Sequence, residues 1–303
     1  VLLLFVHIVL SLQSGVLQLP YRASMMNPAS VAIINTIRLT EWLLATLMVV
    51  LGGSVVLVAA MFVVARLMGN IWLWWGAHRQ TGGRLKLGFR DLDRVLLKQL
   101  VRPSMASMCF PVGLSLTIQG FTLLIGNLVG AGGVALFNVY RTFTRIPIQA
   151  VTTINQAIWP EVSYAYGANN MNKVHQLVVR MLQVGGGLGL AVVLIVFLAG
   201  EQVIDLWVSR PLSHNTTLLI ALTVTALLHI FWQPLWVAQM AINKHSYFAL
   251  LFLLISAMSL LLGWLMLHWF SLQGAGYALL ATECLMAATA VVTFRHVFRN
   301  KSP

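Results

Sequence analysis

Nine runs of apolar residues divide this chain, each long enough to cross about 30 Å of hydrocarbon as a helix. They cover roughly 2–19, 31–51, 54–77, 103–128, 133–158, 176–199, 215–241, 247–270 and 273–298. Hydrophobic residues make up 59% of the 303 and charged ones only 9%, far below the roughly 25% charged of a soluble domain. The sequence therefore predicts an all-α, polytopic membrane protein of about nine transmembrane helices. Lipid gives backbone groups no partner, and the runs lack the alternation of barrel strands, so each run has to be helical.

The net charge of +12 would suit nucleic acid, but its distribution points elsewhere. With the C-terminus placed in the cytoplasm, Arg22, the basic run from Arg79 to Arg102, Lys173, Arg180, Lys244, Arg295, Arg299 and Lys301 all fall inside. Only Arg210 falls outside. That asymmetry follows the positive-inside rule, and the charge serves topology and attraction to anionic lipids. Nucleic acid is not an expected partner.

Short connections at Gly52-Gly53, Val129 to Gly133 and Leu272 to Gly274 predict antiparallel hairpins. The longest outer connection, around Glu201 to Asn215, is too small for a folded domain. One inner connection differs from everything around it. In residues 78–102, Phe89, Leu92, Val95, Leu96 and Leu100 make an apolar face, and Arg90, Arg94 and Lys98 a basic one. This fits a helix lying in the headgroup region and joining two lobes, or simply an orientation-setting charge cluster. The expected division is 1–77, with three spans, the connector 78–102, and 103–303, with six. Val1 opens in the middle of an apolar run, as in a fragment whose upstream spans are missing.

The most informative span is the fifth. Asn138, Arg141, Arg145, Gln149, Thr152 and Gln156 recur at helical spacing and form one polar stripe among apolar faces. An arginine at mid-bilayer costs about 2.5–3.5 kcal/mol even on lenient scales. Four lie within spans: Arg38, Arg66, Arg141 and Arg145. Glu41, three residues after Arg38, offers it a partner on one face, and Glu283 is available to any of the others. Positive charge remains in excess, which makes sense where an anion visits. Arg141 and Arg145 lie one turn apart, suited to gripping two phosphate oxygens or successive phosphates. Pairing with distant acids is the competing reading; mid-helix placement and the length of the stripe favour a water-lined cavity.

Gln119 is the residue of the fourth span most suited to face such a cavity, and Arg38 and Arg66 stand as further cavity candidates. Glu283 and Glu41 are the groups that could couple transport to protons, or else plain ion-pair partners. Thr225, His229 and Gln233 share a face of the seventh span, where a histidine more often packs than relays protons. Cys109 and Cys284 have no metal-ligand spacing, and neither a phosphate-binding glycine loop nor a zinc or nucleophile-elbow motif occurs. Neither an enzyme nor a bound metal or cofactor is expected.

The run from Asn155 to Gly167, with Trp159-Pro160-Glu161 at its centre, resembles a segment of bacterial polysaccharide and O-antigen flippases. These belong to the multidrug/oligosaccharidyl-lipid/polysaccharide exporter (MOP, MATE-like) superfamily. The run Val134 to Thr142, ending in Arg-Thr, the Gly52-Gly53 hairpin and Trp72, Trp74 and Trp75 are similar too. The resemblance implies a two-lobe helical bundle around a central cavity, here without its first three helices. It implies alternating access at the bacterial inner membrane and a polyprenyl pyrophosphate-linked oligosaccharide as cargo, with other polysaccharide-assembly membrane proteins as partners. Arg141 and Arg145 would hold the pyrophosphate, and Asn138, Gln149 and Gln156 phosphate or sugar. A multidrug or cation antiporter of the same architecture is the runner-up and should show acids in its cavity. A polysaccharide polymerase or ligase would need a sizeable outer loop, and a scaffold has no use for the arginine stripe.

Overall fold

The computed structural model describes residues 2–24, 26–80, 82, 93–208 and 215–299. Among these residues there are ten helices and no strand. They are α1 (Leu2–Leu17), α2 (Leu19–Ala23), α3 (Asn27–Val50), α4 (Val55–Gln80), α5 (Arg94–Leu128), α6 (Ala131–Gly167), α7 (Met171–Trp207), α8 (Thr216–Ala241), α9 (Ser246–Phe270) and α10 (Leu272–Arg299). The chain divides into two compact units, Val1–Leu92 and Asp93–Pro303.

The first unit packs α4 against both α1 and α3. Pro28 opens α3, where a missing N–H does no harm. At the far end Gly52, with φ of 73°, turns the chain into α4. Gly69 lets α3 and α4 come close: a β-carbon there would lie 2.4 Å from Ile37. Leu17, Tyr21, Ile34, Ile37, Leu73 and Ala77 form the core, and the Tyr21 hydroxyl donates to the Leu73 carbonyl at 3.1 Å.

In the second unit α8 runs through the middle, packed by α6, α7 and α10, while α9 joins α5 to α10. Asn170 and Asn215 cap α7 and α8 by accepting the N–H groups of Lys173 and Leu218. Gly130, with φ of 95°, makes the turn from α5 into α6.

Among the described residues, eight helical segments are long and apolar enough to cross a membrane, the first of them running from Leu2 to Tyr21 through α1 and α2. The fifth expected span, α6, is 37 residues long but is not among the eight, because its polar stripe dilutes its apolar character. The large apolar side chains left exposed, from Leu2 to Val292, are those that would face lipid. This is a multi-pass membrane protein.

Several helices outrun their apolar stretches. α6 continues through Pro160 to Gly167, and α7 runs to Trp207, through the start of the loop expected at 201–215. The rest of that loop, 209–214, lies outside the described residues. So do 83–92 of the amphipathic connector, while Arg94 to Arg102 form the first turns of α5, continuous with the fourth span.

Candidate functional site

Within the second unit, α5, α6, α8, α9 and α10 line a cavity that is open on one side. Most of its wall is apolar, from Leu114, Ile118, Phe137, Ile148, Leu222 and Phe252. Arg141, Arg145, His229, Glu283, Thr117, Thr144, Thr225, Ser256 and Thr282 line the rest. Helix positions produce this wall. Arg141, Thr144, Arg145 and Ile148 follow the three- and four-residue spacing of one α6 face. Gly113 lets α9 close on α5, since a β-carbon there would lie 2.7 Å from the Phe252 ring and 2.9 Å from the Ser256 Oγ. Tyr140, fully buried, accepts the Asn215 N–H at 3.0 Å and ties α6 to the start of α8.

The two arginines of the stripe are differently engaged. Arg141 donates to the Ile118 carbonyl and to Asn138 Oδ1, each at 2.8 Å, and to Thr122 Oγ1 at 3.4 Å. Its guanidinium also lies 5.1 Å from the Phe137 ring centroid. It fastens α6 to α5. Arg145 makes no hydrogen bond and no close ion pair among the described residues; Arg141 and Glu283 act on it only through space. Arg145 lines the cavity.

Glu283, which could have neutralised it, is held otherwise. Its Oε2 accepts the Trp232 indole N–H at 2.5 Å and its Oε1 meets His229 Nδ1 at 3.1 Å. Opposite, the Ser256 hydroxyl is 1% exposed as a residue and its oxygen has no partner. The cavity thus combines a mostly apolar wall with a guanidinium that makes no hydrogen bond among the described residues. A guanidinium so placed can bind an anion.

The remaining residues singled out from the sequence fall elsewhere. Gln149 and Gln156 are exposed and do not line the cavity. Thr152 instead accepts from Gln233 at 2.7 Å, in a buried polar group with Asn155. Asn138 touches the site only through Arg141, and Gln119 is exposed on another face of α5.

Arg38, Glu41 and Arg66 belong to the first unit. Glu41 does not pair with Arg38, which is exposed on α3; it takes Arg66 Nε and Nη2, both at 2.7 Å, and His7 Nε2 at 2.9 Å. Arg66 is 7% exposed and Glu41 3%. The correction has a simple cause: packing of α3 on α4 brings residues 41 and 66 face to face. Trp232 and Ser256 were not singled out from the sequence. A tryptophan three residues after a histidine reads as packing, and its bond to Glu283 appears only when α8 meets α10.

No protein-family model matches the sequence, and no curated protein is similar to it. Solved structures are similar in fold. A MATE protein in complex with MaL6 superposes with a TM-score of 0.81 at 16% identity, over 96% of this chain and 67% of that one. A MOP superfamily transporter from Pyrococcus furiosus, described as having a binding pocket of reverse polarity that suggests a different function, gives 0.75 at 17% identity over 91% and 64%. An outward-facing multidrug resistance MATE family transporter gives 0.76 at 17% identity over 93% and 66%. The chain thus spans about two thirds of the length of these transporters. Its all-helical fold is that of MATE-like transporters of the MOP superfamily.

Proposed function

We propose that this chain carries the anion-binding part of a transporter in the bacterial inner membrane, C-terminus in the cytoplasm. The cargo is a lipid-linked oligosaccharide whose polyprenyl pyrophosphate head moves from the inner to the outer leaflet by alternating access. Arg145 carries the reading: a guanidinium with no partner among the described residues, opening onto an apolar-walled cavity. At the low effective dielectric of such a place an unpaired cation is costly unless an anion visits. Arg145 receives a phosphate oxygen directly, Arg141 adds positive potential from its anchored position, and the exposed amides of Gln149 and Gln156 offer hydrogen bonds to sugar. Pocket polarity is the property by which one MOP transporter of this fold was judged functionally different, so it is the right property to weigh here.

A second reading, a multidrug or cation antiporter, is favoured by Glu283 in the same cavity and by a multidrug resistance transporter of similar fold. Binding to the chain in nanodiscs separates the two. A polyprenyl pyrophosphate is expected to bind and to weaken on the order of 10–100-fold in Arg145→Gln, the loss of one charged hydrogen bond. Binding of ethidium or norfloxacin with none of the pyrophosphate lipid would replace the first reading by the second.

A further inference from the structure

Glu283 and Arg145 share a cavity and attract one another, yet they do not close into a pair. In the first unit Glu41, although it also meets His7, holds Arg66 by two bonds of 2.7 Å. What differs around Glu283 is α8. Trp232 and His229, three positions apart on that helix, each occupy one carboxylate oxygen, at 2.5 and 3.1 Å. The indole is fixed in turn. Trp232 is 3% exposed, its ring lying 4.6 Å from His229, 5.8 Å from Phe248 and 6.1 Å from Phe252, centroid to centroid. Supporting residues locked by packing are how a site keeps a charged group in one place.

We infer that Trp232 and His229 are positioning residues that hold the Glu283 carboxylate away from Arg145 and so keep its guanidinium open to an anionic ligand. The inference rests on the proposed anion site. With the α8 donors removed, the carboxylate needs new donors, and the Arg145 guanidinium lines the same cavity. An incoming anion would then compete with an internal carboxylate for the same N–H groups. The site becomes self-occupied, as Arg66 already is.

The test uses the whole chain in nanodiscs, with inorganic pyrophosphate as the calorimetric probe. Trp232→Phe removes the indole donor and retains an aromatic ring in the cluster. It is expected to weaken pyrophosphate binding at least tenfold, and Trp232→Phe with Glu283→Gln to restore the affinity of Glu283→Gln alone. His229→Leu, outside the aromatic core, should give a smaller loss with the same rescue, and serves if Trp232→Phe does not fold. A second readout needs no anion. The coupling between Arg145 and Glu283, from a double-mutant cycle on melting temperature, should be small in the native chain and grow in the Trp232→Phe background. Unchanged affinity in both α8 variants, or a loss that Glu283→Gln does not rescue, overturns the inference and leaves the anion site standing. Pyrophosphate binding that is absent from the native chain, or insensitive to Arg145→Gln, overturns the anion site itself.

Discussion

Each unit of this protein sets an arginine, a glutamate and a histidine among apolar helices, and the two sets are wired differently. In the first, Arg66 grips both oxygens of Glu41 and His7 adds a third contact, so that charge is neutralised where it sits. In the second, Glu283 is satisfied by Trp232 and His229, and Arg145 faces an open cavity. The residue types are the same. What separates a structural ion pair from an available cation is whether other donors satisfy the carboxylate first.

The comparison is most exposed to failure in stability. Arg66→Leu leaves Glu41 buried without its bidentate partner, and breaking such a pair costs about 3–5 kcal/mol. The variant should lose most of its folded yield, and Arg66→Leu with Glu41→Leu should recover much of it. Arg145→Leu removes a guanidinium that makes no hydrogen bond among the described residues and is costly where it sits, so its melting temperature in detergent should not fall below that of the native chain. Equal damage from Arg66→Leu and Arg145→Leu would erase the distinction between the two sets.

Next in size is a contrast within α6. Arg141 spends its donors on Ile118, Asn138 and Thr122, so Arg141→Gln should lower the melting temperature by the equivalent of about 1–3 kcal/mol. Its effect on pyrophosphate affinity should be smaller than that of Arg145→Gln, which should leave melting almost untouched. Calorimetry and thermal melts on the same two samples check the crossing of effects; parallel losses in both measurements would mean that the two arginines act alike.

Helix number and the polar face of α6 were legible because lipid enforces them: an apolar run must be helical, and a polar stripe must find water, a ligand or another chain segment. Helix ends were less so, since α6 passes Pro160 and α7 passes Glu201 without an apolar signal. Partner choice was hidden. Nothing local distinguishes Arg38 from Arg66 as the mate of Glu41; the packing of α3 on α4 decides it. The cavity within the second unit takes Arg141 and Arg145 from the stripe, while Gln149 and Gln156 are exposed outside its wall. Trp232 carried no sequence signal of its role, because a tryptophan in a membrane span is ordinary until a carboxylate on another helix meets its N–H.

A third histidine supplies the smallest and cleanest comparison. His245, at the turn between α8 and α9, is 2% exposed and has no carboxylate beside it. Its Nε2 meets Ser107 Oγ at 3.0 Å, and because that hydroxyl donates to the Pro103 carbonyl, the ring nitrogen is the donor. Nδ1 has no partner, so a second proton there would be buried without an acceptor. Burial pushes the imidazole below its usual 6.5, and the Pro103 carbonyl only partly opposes this. The folded chain therefore takes up the proton less readily than the unfolded one. Stability is fully present above the ordinary histidine range and declines as pH falls below about 6.5. Melting temperature should drop between about pH 7.5 and pH 5.5, and His245→Gln, although less stable at the higher pH, should show a shallower drop. His7 and His229, by contrast, each meet a carboxylate. An acid slope identical in native chain and His245→Gln would show that the lone histidine is no different from the paired ones.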